Sequence, residues 1–242
     1  MIKWLDLKNT FRNRRFLFFT VVFPAAWYLF ILTMGQDVAF AGKSTNYLLY
    51  LTAAIIGIGG NSVVTFSKKI CETRGFFQLQ SKTSHYGLRQ WLADQLIVEL
   101  LLNSTICFVL VMIGFCYQAI LFTMEFLLLI FLLLILGLYL SVIGFFVGLI
   151  LDGQTISALA MPLSMGASLL MAPWASFVHG SSWFLTAFTA IQKIFPGYYV
   201  YQVIQNMLNR QDVFQSLSCF VLTTLLILIP VALLSVRRLK RI

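Results

Sequence analysis

Lys68-Lys69-Ile70-Cys71-Glu72-Thr73-Arg74-Gly75-Phe76-Phe77-Gln78-Leu79-Gln80-Ser81-Lys82, continuing through Thr83-Ser84-His85-Tyr86-Gly87-Leu88-Arg89, is a polar, mixed-charge stretch set between long apolar runs. It is too long and too charged for a simple turn, so it reads as a surface that a partner recognises. Around it, apolar runs long enough to cross the ~30 Å hydrocarbon core as helices recur along the chain. Only 10% of the 242 residues are charged and 60% are hydrophobic, far from the soluble average of about 25% charged. The expected class is an all-α membrane protein forming a single domain over residues 1–242.

Six spans are expected: 16–35, 47–66, 92–117, 124–151, 155–175 and 215–236. Residues 1–15 carry Lys3, Lys8, Arg12, Arg14 and Arg15, with Trp4, Leu7 and Phe11 on one helical face; that pattern predicts an interfacial amphipathic helix. Phe16–Gly35 exceeds a signal-peptide core, so it reads as an uncleaved first span. Between the fifth and sixth spans, Trp183–Phe195 is too short to cross, and Pro196-Gly197 breaks it. Tyr198, Tyr199 and Tyr201 follow where an interfacial belt would place them. An outward re-entrant helical hairpin is expected there.

The net charge of +9 would suit nucleic acid or anionic lipid, but its placement speaks for topology instead. Six spans put both termini on one side, and that side holds fourteen of the 17 Lys and Arg residues. Lys43, Lys193 and Arg210 make up the other side. The bias predicts cytoplasmic termini and a cytoplasmic Lys68–Arg89 segment.

Several polar residues fall inside the expected spans. Gln95, Glu99 and Asn103 recur every four residues and share a helix face. A mid-membrane charge costs about 3 kcal/mol on insertion scales, so Glu99 faces protein or water. Two roles stand open for it: pairing with a Lys or Arg of the polar stretch, or coupling and substrate passage. Asn61 reads as an interhelical hydrogen-bonding residue. Gly57-Ile58-Gly59-Gly60 lacks a dinucleotide-binding context and reads as close packing. Gly144 and Gly148, extended upstream by Gly137 and Ser141, have a spacing that dimerisation and intramolecular packing use equally well.

No phosphate-binding Gly-x-x-x-x-Gly-Lys-Ser/Thr motif occurs, so any ATP-driven work would need a separate ATPase. Cys71, Cys107, Cys116 and Cys219 lack metal-ligand spacing, and no metal site is expected. His179 beside Ser181 and Ser182 has no third group to orient it, which argues against a catalytic pair.

Taken in order, these pieces resemble the permease subunit of a bacterial type-2 ABC exporter. The resemblance runs over essentially the whole chain. It starts at Asn13-Arg14-Arg15-Phe16 and Phe23-Pro24, and continues through Glu72-Thr73-Arg74-Gly75-Phe76-Phe77-Gln78-Leu79, Ser81–Ser84 and Trp91. It ends with Pro173 and Phe195-Pro196-Gly197-Tyr198-Tyr199. It implies a plasma-membrane half-transporter that binds no cofactor itself and pairs with a second, identical or related permease. Cytoplasmic ATPase subunits holding ATP and Mg would dock on a coupling helix bearing Glu72, Arg74, Gly75, Phe76, Phe77 and Leu79. Pro173, Trp183, Pro196, Tyr198 and Tyr199 would form an extracellular gate, and the substrate would be apolar or amphipathic. A secondary transporter or small channel is the main rival, a membrane scaffold the next.

Overall fold

The computed structural model describes residues 8–10, 12–37, 43–83, 87–173 and 183–239. Among these residues the regular structure is entirely helical. Helix α1 runs through Arg14–Leu17, a π turn at Phe18–Val22 and Phe23–Asp37. Helix α2 comprises Lys43–Gly59, a π segment at Gly60–Thr65 and Phe66–Thr83. Then come α3 (Leu88–Cys116), α4 (Met124–Ile150), α5 (Gly153–Ala158), α6 (Ala160–Met171), α7 (Trp183–Gln192), α8 (Pro196–Leu208) and α9 (Phe214–Leu239). The expected amphipathic leader, His85 and the His179–Ser182 run lie largely or wholly outside the described residues.

Among the described residues, four stretches are long and apolar enough to cross a membrane: Thr45–Phe77, Gln90–Cys116, Met124–Ile150 and Phe214–Ser235. Thr20–Thr33 and Ala160–Met171, in the first and fifth expected spans, are shorter apolar helices. The distribution of side chains suits lipid. Ile97, Leu101, Phe108, Met112 and Phe115 line the exposed face of α3, while Gln95, Glu99 and Asn103 are buried on the other. The same inversion appears on α9, where Val221, Leu222, Leu225 and Ile229 face out and Ser216, Thr224 and Ser235 face in. In water such an arrangement would waste apolar burial and strand polar groups; in hydrocarbon it does neither.

The helix breaks have local causes. Pro24 has no N–H, and its ring would collide with the carbonyl one turn back, so the preceding turn widens to π. Pro162 acts on the fifth expected span: it cannot bond the carbonyl of Ala158, and the span divides at Leu159 into α5 and α6. Asp152 N-caps α5; its Oδ2 accepts the backbone N–H of Gln154 and Thr155 at 3.1 and 3.2 Å.

The largest correction concerns the opening polar stretch. Lys68–Thr83 does not leave the second span as a loop carrying a separate short helix; it continues α2 without interruption. Apart from Gly75 its residues tolerate helix, and a single interior glycine costs only about 1 kcal/mol. Packing outweighs that cost: Phe66, Ile70 and Phe77 form a buried cluster with Trp91, Phe145 and Leu149.

Helices α2 and α4 run parallel and touch along their whole shared length. At one end the Tyr47 and Thr123 hydroxyls lie 2.9 Å apart, and Tyr47 stacks on Phe126. In the middle, a Cβ on Gly144 would lie 1.9 Å from the Ser62 carbonyl oxygen, and one on Gly148 2.4 Å from that of Ser67. The glycine spacing is therefore used within the chain. Gly57 serves similarly against Pro24 of α1 and Ile106 of α3.

Candidate functional site

Lys68–Thr83 forms an arm at the end of the bundle where α3 begins and α4 ends. Two stripes stand out among the described side chains of residues 67–79. The inward stripe is Ser67, Ile70, Arg74 and Phe77, spaced by three or four residues as one helix face requires. Phe77, 7% exposed, stacks on Trp91 with ring centroids 4.5 Å apart and planes 16° apart. Arg74 Nη1 donates to the Leu149 carbonyl at 3.1 Å. That oxygen belongs to the last turn of α4, whose carbonyls have no partner within their own helix; a cation there also opposes the helix dipole. Ser67 Oγ donates to the Gly144 carbonyl at 2.8 Å.

The outward stripe is Glu72, Gly75, Phe76 and Leu79, all exposed. Phe76 and Leu79 are each 68% exposed. Gly75 has nothing within 4 Å of the position a Cβ would occupy. No contact among the described residues therefore explains this mid-helix glycine. The six residues assigned to ATPase contact thus separate: Glu72, Gly75, Phe76 and Leu79 face outward, whereas Arg74 and Phe77 pack inward.

The second cluster lies in the interior, where the π segment of α2 faces α3 and α4. Asn61 Nδ2 donates to Glu99 Oε2 and to Asn103 Oδ1, both at 2.9 Å. Asn103 Nδ2 donates to Ser62 Oγ at 3.0 Å, and Ser141 Oγ donates to the same Ser62 oxygen at 3.1 Å. The extra residue of the π turn brings Asn61, Ser62 and Val63 inside together, which an ordinary α turn does not favour for three successive side chains. Gly137 makes room for the Asn103 amide, which would lie 2.8 Å from a Cβ there. Glu99 is 1% exposed and Gln95 buried beside it. These groups join three helices through hydrogen bonds, each worth more in a low dielectric than in water. Sequence reasoning named Asn61, Gln95, Glu99 and Asn103 but missed Ser62, and read Ser141 only as a small packing residue. The available signal was their position beside Asn61 and within the glycine stripe.

At the opposite end, the short helices α7 and α8 precede α9. Gln192, fully buried, donates through Nε2 to the carbonyls of Leu169 and Ala172 at the end of α6. Sequence reasoning overlooked this residue, although an amide just ahead of the Pro-Gly break was its signal. Gly197 is more than a helix breaker: a Cβ there would meet the Met171 carbonyl oxygen at 2.5 Å. Pro173 and Pro196 are buried at this junction, Tyr198 and Tyr199 are half-buried in edge-to-face contact at 5.5 Å, and Trp183 projects outward, 83% exposed. Gln192 and Gly197 hold these helices against α6.

The fold and these clusters define a multi-pass α-helical membrane protein with a polar interior and a long amphipathic arm. Comparison with protein-family models, curated proteins and solved structures finds no match to the chain.

Proposed function

We propose that the protein is the membrane subunit of an ATP-driven ABC exporter, with six spans, cytoplasmic termini and a bacterial plasma-membrane location. It moves an apolar or amphipathic substrate (a drug, a peptide or a lipid-like molecule) outward as part of a permease pair. The reading is supported chiefly by the arm. A helix that leaves the apolar bundle displays Phe76 and Leu79 beside Glu72, with unexplained open space at Gly75. Two apolar anchors with a charged neighbour and room for close backbone approach suit seating in a cleft of a second protein. The ordered sequence resemblance implies that this partner is a cytoplasmic ATPase, which would hold ATP and Mg.

The test is capture of the tagged chain from its native membrane, followed by identification of any nucleotide-binding subunit and measurement of ATP hydrolysis. Phe76→Asp is the appropriate variant because Phe76 contributes little to the chain's own packing. The expected result is loss of ATPase association with unchanged thermal stability. Retained association and transport would overturn the assignment.

The buried Glu99–Asn61–Asn103 cluster favours a second reading, a secondary transporter. That reading predicts solute flux in proteoliposomes driven by an ion gradient without ATP, and its loss in Glu99→Gln.

A further inference from the structure

We propose that Arg74 is a positioning residue that latches the arm to the end of α4, rather than a contact to the partner. The inference rests on the ATPase reading only insofar as a partner loads the arm. Arg74 belongs to the inward stripe with Ser67, Ile70 and Phe77, on the side away from Phe76 and Leu79. Its guanidinium reaches the Leu149 carbonyl at 3.1 Å. One to two turns nearer the bundle, Ser67 bonds the Gly144 carbonyl at 2.8 Å. Between these bonds, Gly148 lets α4 meet the Ser67 backbone, with the Ile70 Cβ 3.0 Å from where its own Cβ would lie.

The arm is consequently a strut held to α4 at successive levels, not a tethered loop. Phe77 on Trp91 ties the same strut to the start of α3. A push on Phe76 and Leu79 enters α4 directly, and α4 is joined to α2 as far as Tyr47 and Thr123 at the other end. Among the described residues, Arg74 makes the polar bond furthest out along this seam, so it fixes the angle at which the outward face is presented. A single carbonyl acceptor needs only one donor, which lysine also supplies; a bidentate fork onto a partner's carboxylate would demand arginine itself.

The test is hydrogen–deuterium exchange on the full chain in lipid nanodiscs, comparing Arg74→Ala, Arg74→Lys and Glu72→Ala. Loss of a charge-assisted bond raises local opening about tenfold. Exchange in segments 72–83 and 147–152 should therefore rise by that factor in Arg74→Ala. It should stay within about threefold of the parent in Arg74→Lys, where one cation–carbonyl bond remains. Glu72→Ala, on the outward stripe, should leave both segments unchanged. Equal exchange in parent and Arg74→Ala overturns the latch. This experiment involves no ATPase, so it can succeed where the exporter reading fails. With a captured ATPase, Arg74→Ala should retain association yet lose substrate-stimulated hydrolysis, and Arg74→Lys should restore it. Loss of association with unchanged exchange would make Arg74 a partner contact and refute the proposal.

Discussion

Gly144→Ala tests the joint on which the architecture depends. The added methyl would sit 1.9 Å from the Ser62 carbonyl oxygen and 3.3 Å from the Val63 Cα, both backbone atoms that no rotamer change can move. Ordinary contact needs well over 1 Å more separation, so α2 and α4 must part at this level. Overpacking of that kind costs about 1–3 kcal/mol. The bonds from Ser67 to the Gly144 carbonyl and from Ser141 to Ser62 straddle the same point. Stretching each forfeits a further ~1 kcal/mol. The working expectation is a loss of about 3–5 kcal/mol, read as a shift in SDS-induced unfolding of the chain in mixed micelles. Gly60→Ala is the control, since nothing lies within 4 Å of its Cβ position. A Gly144→Ala protein within about 0.5 kcal/mol of the parent, the range of an innocuous surface change, would refute the seam. A normal monomer that no longer self-associates would instead assign the glycine stripe to a contact between chains.

Three further changes separate other parts of the reasoning. Gly75→Ala should stabilise the isolated chain by about 1 kcal/mol in thermal unfolding, because helix propensity improves and the Cβ enters open space; the same variant should weaken binding of any partner that approaches the bare backbone there. Glu99→Leu removes an acceptor of the fully buried Asn61 amide and should cost about 2 kcal/mol, whereas Glu99→Gln keeps a carbonyl acceptor and should lose less than half as much in the same assay. The Asp152 carboxyl is held below its ordinary value by the Thr155 hydroxyl, then by backbone N–H donors. Its capping contribution is therefore complete above the unfolded-state value of 3.8 and fades as pH falls through the lower folded value; Asp152→Asn should flatten that acid limb of a pH–stability profile.

Apolar length made the membrane class and most helix positions readable, because a spanning segment must be both apolar and long, whatever its neighbours. The four-residue spacing of Gln95, Glu99 and Asn103 likewise placed them on one face. Spacing did not reveal which groups would meet them. Asn61 and Ser62 turn inward together where α2 takes a π turn, at the level where Gly144 packs against Ser62. The arm was misread for a similar reason. Charge marks where a chain leaves the membrane but not where its helix ends, and Lys68–Thr83 remains helical because Phe77 finds Trp91 and Arg74 finds Leu149. Both partners are remote in sequence. The functional expectation attached to the motif treated Glu72 to Leu79 as a unit, whereas helical geometry necessarily puts Arg74 and Phe77 on a different side from Phe76 and Leu79.

That division changes what a substitution in the motif reports. Phe77→Asp would bury a charge against Trp91 and Phe145 and disrupt the cluster holding the arm, a loss expected in the range of several kcal/mol. A failure to transport in that variant would describe folding as much as coupling. Phe76→Asp places the same charge on a side chain already 68% exposed, so the chain's stability should change little. If the two variants unfold at the same midpoint, the two-stripe arm is wrong. If only Phe77→Asp is destabilised while Phe76→Asp alone loses its partner from a stable protein, docking and support lie on opposite faces of one helix. The force-bearing surface is then Glu72, Gly75, Phe76 and Leu79, and Arg74 and Phe77 are what it pushes against.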